Sequence, residues 1–588
     1  MARKVRLPLL VQDRQNLFDQ DSRSPGEAPV LATPIEWLEV KGAEGFADGP
    51  ACPQVVVEDV DAETGARRAG ARWLPRGVGR STGCYEVNVP DIDDTEALLQ
   101  AFESDAFLQV SPFATVLRTI QFFESPDALG RPVTWAFRDP RIRIIPRAGT
   151  SANACYRRAS GSLEFYSFQG RSGRTVHTAL SHDIVVHETA HAILDGIAPG
   201  LYDATRTESI ALHEAVADLA AIVLTLLNEM VVFSLYNISG SKVDIAGALA
   251  KVAEEFGSEV QSETGVDALR VLKNRRALDG ASTNLVAPYE VSEVLSGAAF
   301  QVFIHCANGP GLEELSRRQK LRRDTVGSKR QLVESWGHTL PDSFDQLDEK
   351  RVNGAARDIA RLVFRALDYL PPGEASLADF GRAVVASNRA VRSGRTTVEG
   401  LFVHELVERG VVADASDLEE SSQHVGRVLE GVDCTALLED PALAVRFAEE
   451  HRALLGVPSG RAFRVQPRRS RIRSRGRSSR RDLVFRVTWD EWEEHDIGPG
   501  FGTSWAVSAG TTLVLDWETS RVLSVLTTET GDRAWADRDR TLKSWQERGL
   551  LHLAPDRHSL DIDEDRILVA RRSPEGMRVS GAARVLCT

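Results

Sequence analysis

DIVVHETAHAILDG, residues 183–196, decides how this chain reads. An apolar run leads into His187-Glu188-Thr189-Ala190-His191, and small and apolar residues continue to Gly196. On an α-helix, positions i and i+4 share a face, so His187 and His191 can offer imidazole nitrogens to one metal ion. Glu188 is adjacent, and its carboxylate can reach a water beside that ion without being a ligand. Gly196 suits the residue that follows a helix end.

A second pair lies downstream in ALHEAVADLAA, where Glu214 and Asp218 also stand one turn apart. Glu214 can supply a third protein ligand. Asp218 can accept a hydrogen bond from the far nitrogen of a ligand imidazole and so fix its tautomer. Two His and one Glu leave one position open, the pattern of a catalytic zinc rather than a structural one. Glu208 is the alternative third ligand, but it has no acidic residue four positions on. His213 points about 100° away from Glu214 on a helix and is set aside as a core or supporting residue. His177, His182 and His305 read as core or cap residues. A site of the HExxHxxGxxH type is excluded, because Leu194 and Ile197 occupy the Gly and third His positions.

With these residues in hand, the chain resembles the thermolysin-like gluzincin metallopeptidases from about residue 153 to 300. The resemblance implies an α+β metallopeptidase domain, a sheet with an edge strand plus a helical subdomain. It implies Zn2+ on His187, His191 and Glu214, Glu188 as general base, and Asp218 behind a ligand histidine. Tyr202, in GLYD, matches the family's transition-state tyrosine. Asn153-Ala154, in NACY, is similar to the edge strand that holds the substrate backbone. Arg270, in LRVLKN, is similar to an arginine that contacts the substrate carbonyl. The family's second transition-state residue is normally histidine. Here the candidates near the helix EVSEVLSGAAF are Tyr289 and Glu293, and Tyr289 is preferred because a phenol can donate to an oxyanion.

The remainder frames this site. The chain has 588 residues, 42% hydrophobic and 26% charged, with a net charge of −13. That length is expected to divide into several domains: an N-terminal mixed α/β extension (1–105), the peptidase domain (106–410), a helical linker region (411–455), and an Arg-rich linker with a small β-rich domain (456–588). Asp93 or Asp94 suits the N-cap of a helix over DDTEALLQAFES. VTWAFR and RIRIIP read as strands, and NACYRR and SLEFYSF as a hairpin about Ser160-Gly161. The run PRRSRIRSRGRSSRR holds eight arginines and reads as a solvated linker; a phosphate-binding patch and a protease-sensitive hinge are its other readings. This run, Arg468–Arg481, is the one hint of nucleic acid in an acidic chain. No stretch reads as a membrane span of roughly 18 apolar residues. The opening apolar run LPLLV is shorter than the roughly 7 residues of a secretory segment. Six cysteines lie singly, the usage of reduced thiols, so a cytoplasmic location is expected. The expected function is zinc-dependent hydrolysis of a protein or peptide substrate, under the control of an activating or inhibiting protein partner or of the flanking regions. The alternative is a catalytically weak or inactive scaffold of the same fold that binds a partner.

Overall fold

Ser181, in extended conformation, precedes helix α2, His182–Ile197, in which every residue but Asp183 is buried. A helix apolar on all sides belongs at the centre of a molecule, and the rest of the chain is arranged about it. The structure is a computed structural model describing residues 4–10, 35–41, 45–61, 64–75, 83–88, 95–228, 251–252, 270–278, 288–308, 349–391, 396–419, 423–472, 480–549, 551–553, 568–581 and 584–585. Asp93 and Asp94 lie outside the described residues, and the helix there opens at Thr95.

A five-stranded mixed sheet flanks α2. Strand β1 (Val55–Val57) pairs in parallel with β2 (Ile142–Ile145), and β2 in parallel with the strand Ser162–Phe165, β4. Between β2 and β4 in sequence comes β3 (Ala154–Arg157), antiparallel to β4 through a turn in which Gly161 has φ +61°. Arg584–Val585 pairs with the other side of β3. Helix α1 (Asp105–Glu124) packs against α2, and Ser104 Oγ caps its start by accepting from the Phe107 N–H at 3.3 Å. Helix α3 (Thr207–Leu226) packs on α2, and α4 (Pro288–Asn308) packs on α3. By length and composition alone α3 could cross a membrane, contrary to the reading of the sequence, but 94% of its apolar window is buried inside this molecule. It is a core helix.

Two local expectations are corrected here. VTWAFR is irregular, not a strand. It lies across the end of α2, where the Val133 N–H donates to Glu124 Oε1 at 3.1 Å instead of to a partner strand. Gly196 is the penultimate residue of α2 and not the glycine that follows it. A Cβ there would sit 1.6 Å from the Thr134 carbonyl oxygen, so the glycine serves close backbone approach. Gly196→Ala is therefore expected to destabilise the chain by about 3 kcal/mol or more, since backbone cannot yield as a side chain can. Thermal unfolding of the variant reads this, and an unchanged melting temperature contradicts it.

The C-terminal region is a seven-stranded sheet built on β5 (Arg464–Ile472), β6 (Arg480–Glu494) and β7 (Ser504–Asp516). Both ends of the arginine run are strand and not linker: β5 and β6 pair antiparallel from Arg464↔Thr488 to Ile472↔Arg480, and 473–479 lie outside the described residues. Alternating arginines can line one face of a strand, and Arg469 and Arg481 both lie over the Trp517 ring. A helix, Asp532–Glu547, interrupts the β-rich sequence. The core crosses all three expected boundaries. β1 from the extension joins the sheet beside α2, and Val484, Val514 and Leu526 join the same apolar cluster as Ile184 and Leu219.

Candidate metal centre

His187 and His191 are one turn apart on α2, each 1% exposed, with ring centroids 4.5 Å apart, edge to face. α3 delivers Glu214 between them. Its Oε2 is 3.4 Å from His187 Nε2, and its Oε1 is 3.6 Å from His191 Nε2. Metal–donor bonds of about 2.0–2.1 Å in a tetrahedron set donor atoms about 3.3–3.4 Å apart. Both carboxylate–imidazole separations are close to that spacing. Donor atoms of His187, Glu188 and His191 also lie within 4.8 Å of one another, so Glu188 stands at the same place. Glu208 does not: at the start of α3 it accepts the Leu377 N–H at 2.9 Å and pairs with Arg206.

Each imidazole is held from behind. Asp218 Oδ1 is 3.0 Å from His187 Nδ1. A carboxylate at that distance favours the tautomer with its proton on Nδ1, so that the Nε2 lone pair faces Glu214. His191 Nδ1 is 2.6 Å from His213 Nδ1, and the two rings stack with centroids 4.7 Å apart. His213 is thus a supporting residue, one of the two readings left open for it. Its 100° divergence from Glu214 is real, but the two residues approach different edges of one imidazole, Glu214 at Nε2 and His213 at Nδ1. With His191 Nε2 left for a metal, His191 Nδ1 donates to His213 Nδ1, and His213 carries its proton on Nε2. A polar residue directly before a carboxylate ligand on an otherwise apolar helix is the signal that marks it.

Tyr202 follows α2 in a short helix, Pro199–Tyr202, and is 1% exposed. Its ring lies 6.1 Å from that of His213 and 5.6 Å from that of Tyr156. The Arg158 guanidinium covers it at 4.2 Å. Arg158 is itself fixed by Asp195, Asp203 and the Pro199 carbonyl. Asp195, near the end of α2, also accepts from the Tyr156 hydroxyl at 2.8 Å. Burial raises the Asp195 pKa, with Arg158 acting against it. Sequence reasoning missed Arg158 and Asp195.

The other predicted residues are less concentrated. Tyr289 is half-buried in the first turn of α4, its carbonyl accepting from Ser292 Oγ at 2.7 Å. Glu293, one turn on, pairs with Arg276. Asn153 Oδ1 accepts the Ala154 N–H at 2.8 Å, and its carbonyl accepts from Thr178 Oγ1 at 3.1 Å. Ala154 is fully buried at the start of β3. β3 is not a bare edge as expected, because Arg584–Val585 pairs along it. Arg270 opens a two-residue strand paired with Lys251–Val252, and its side chain lies outside the described ones. His177 is spoken for by Glu103 at 2.8 Å, and burial lowers the pKa of His305 on α4.

The C-terminal sheet reaches the far end of the metal-site helix. Arg468 Nη2 donates to the Gly196 carbonyl at 2.9 Å, and Arg486 donates to the Ile197 carbonyl. Cations at a helix C-terminus satisfy its last carbonyls and oppose the negative end of its dipole. Arg486 also donates to the Leu367 and Asp368 carbonyls at 3.0 and 3.1 Å. The Asp368 carboxylate takes both arms of Arg131, at 2.9 and 2.5 Å. Burial alone would raise the Asp368 pKa, but Arg131, Arg486 and Arg468 hold it below the usual carboxylate value.

No protein-family model matches the chain, and no curated protein matches it. Among solved structures, it is similar to the precursor of protealysin, a metalloproteinase from Serratia proteamaculans. The two are 14% identical, over 63% of this chain and 90% of that one, with a TM-score of 0.29. A likeness of that size carries no argument, and the functional reading rests on the site itself.

Proposed function

We propose that this chain is a zinc-dependent peptidase that hydrolyses peptide bonds of an extended protein or peptide substrate. The supporting observation is one buried carboxylate, Glu214, whose oxygens stand 3.4 and 3.6 Å from the Nε2 atoms of two histidines. His187, His191 and Glu214 would hold the ion, a nitrogen and oxygen donor set that suits zinc and leaves a position open. Zinc so held would supply a Lewis acid for a carbonyl and lower the pKa of water toward neutral. The Glu188 carboxylate takes the proton from the attacking water and returns it to the leaving amine. The Tyr202 hydroxyl, and that of Tyr289, donate to the oxygen on which negative charge develops. Asp218 and His213 keep the two imidazoles turned toward the ion.

Metal analysis of the purified chain tests the centre. About one zinc per chain is expected, absent from a His187→Ala/His191→Ala double variant and weakened in Glu214→Ala. Asp218→Asn and His213→Ala should each cost about 10–100-fold in metal affinity. Full occupancy in the double histidine variant refutes the assignment.

The oxyanion role is tested separately. Tyr289→Phe is expected to lower kcat by about 10²–10³-fold with zinc content unchanged. Unchanged turnover assigns the role to Tyr202 or Glu293 instead. If the wild-type chain holds zinc yet cleaves nothing in a broad peptide library, with and without candidate activating proteins, the scaffold reading replaces the peptidase one.

A further inference from the structure

Strand β3 lies on the metal-site helix. The Tyr156 hydroxyl reaches Asp195 on α2 at 2.8 Å. One side of β3 pairs with β4. Arg584–Val585 takes the other side antiparallel, Arg584 opposite Tyr156 and Val585 opposite Cys155. Val585 is therefore level with Cys155, in the strand that packs against α2.

An extended peptide that adds to a sheet edge is recognised mainly through main-chain hydrogen bonds, whatever its side chains. Any segment that pairs with β3 in this way excludes a peptide from the same row of N–H and C=O groups. On the peptidase reading given above, we propose that Arg584–Val585 is a resident competitor on the strand that receives the substrate backbone. The chain thereby restrains its own cleft, and a substrate enters by displacing this segment.

The surrounding topology makes the segment an effective competitor. The strand Gly576–Gly581, which pairs with both β7 and Leu568–Ser573, ends three residues before Arg584. Three residues span at most about 11 Å. The C-terminal sheet thus delivers the segment to β3 over a short tether, and tethering of this kind raises a local concentration to about the millimolar range. Among the described residues the paired stretch is two residues long, and a substrate pairing over a longer stretch and also engaging the metal centre displaces it.

Successive residues of an antiparallel strand turn their N–H groups to opposite neighbours. One of Cys155 and Tyr156 therefore faces the segment, and that amide reports on it without any turnover. The test uses the full-length chain with Arg584→Pro/Val585→Pro, which removes both N–H groups of the competitor. Two measurements are made: hydrogen exchange at the β3 amides, and steady-state kinetics on one cleaved extended peptide. The amide facing the segment should exchange about tenfold faster, and KM should fall about tenfold, the worth of one or two backbone hydrogen bonds. The value of kcat should stay the same, because no reacting group has changed. A synthetic AARVLCT peptide, the sequence of 582–588, should inhibit the proline variant competitively. Unchanged exchange at β3 together with an unchanged KM overturns the proposal. Faster exchange with no cleavage by either protein upholds the segment as occupant of β3 and refutes the peptidase reading, so the two failures are distinct.

Discussion

Glu188→Gln is expected to keep the metal and the melting temperature of the wild-type chain while kcat falls by about 10²–10⁴-fold. Glutamine has nearly the same shape and still fits the buried space of Glu188, which is 1% exposed. Its amide cannot take a proton from water at neutral pH. The atoms of His187, His191 and Glu214 proposed as ligands are untouched, so metal affinity should not report on this change. Rates on a single peptide, with zinc measured in the same samples, decide the matter. A Glu188→Gln protein that works at the wild-type rate removes Glu188 from the chemistry and the peptidase mechanism with it.

The second large effect concerns stability. Asp368→Ala is expected to cost about 3–5 kcal/mol, the usual penalty for removing one partner of a buried ion pair. Asp368 and Arg131 expose only 3% and 5% of their side chains, so solvent screens the loss little. The substitution leaves Arg131, Arg468 and Arg486 clustered without the carboxylate that offsets their charge. The damage reaches the metal centre, because Arg468 and Arg486 bind the last carbonyls of α2. The pH dependence follows from the sign of the shift. The Asp368 pKa is lowered in the folded chain, so its contribution is complete above the ordinary value of about 3.8 and is lost as pH falls through the lower, folded value. Denaturant unfolding at neutral pH should show the full loss in the variant, with the difference from wild type narrowing in strong acid. A variant as stable as wild type at neutral pH contradicts this account. The same contacts bear on fragments. A piece spanning 106–410 lacks β1, Val484, Val514 and both capping arginines, and it is expected not to fold by itself.

Much of the centre was legible in the chain because it is local. His187 with His191, and Glu214 with Asp218, follow the helical repeat, so spacing alone put each pair on one face. The hairpin about Gly161 was legible too, from alternation broken by Ser-Gly. Where the reading stopped, a distant part of the chain had decided the structure. Gly196 looks like a helix-ending glycine, yet Thr134 passing 1.6 Å from its would-be Cβ explains it better. The arginine run has the composition of a solvated linker, yet its two described ends are paired strand, with Arg468 on the Gly196 carbonyl and Arg469 and Arg481 over the Trp517 ring. The helix Asp532–Glu547 was hidden by its charge. Only Ala534, Arg538, Thr541, Leu542 and Trp545 are buried, and their helical spacing is visible once Arg538 is counted as an inward residue paired with Glu374 and Glu493.

Local repeat alone was enough to give two helices that each present a pair of candidate metal-site residues, because a helix repeats within a few residues and its side-chain directions need no knowledge of the rest. Tertiary structure alone decided that Glu214 meets both histidines and that His213 lies behind His191. It alone set Arg486 against Ile197, 289 residues away in the chain, and Arg584–Val585 along β3. Those contacts depend on which buried surfaces pack together, and no repeat within either segment records its partner.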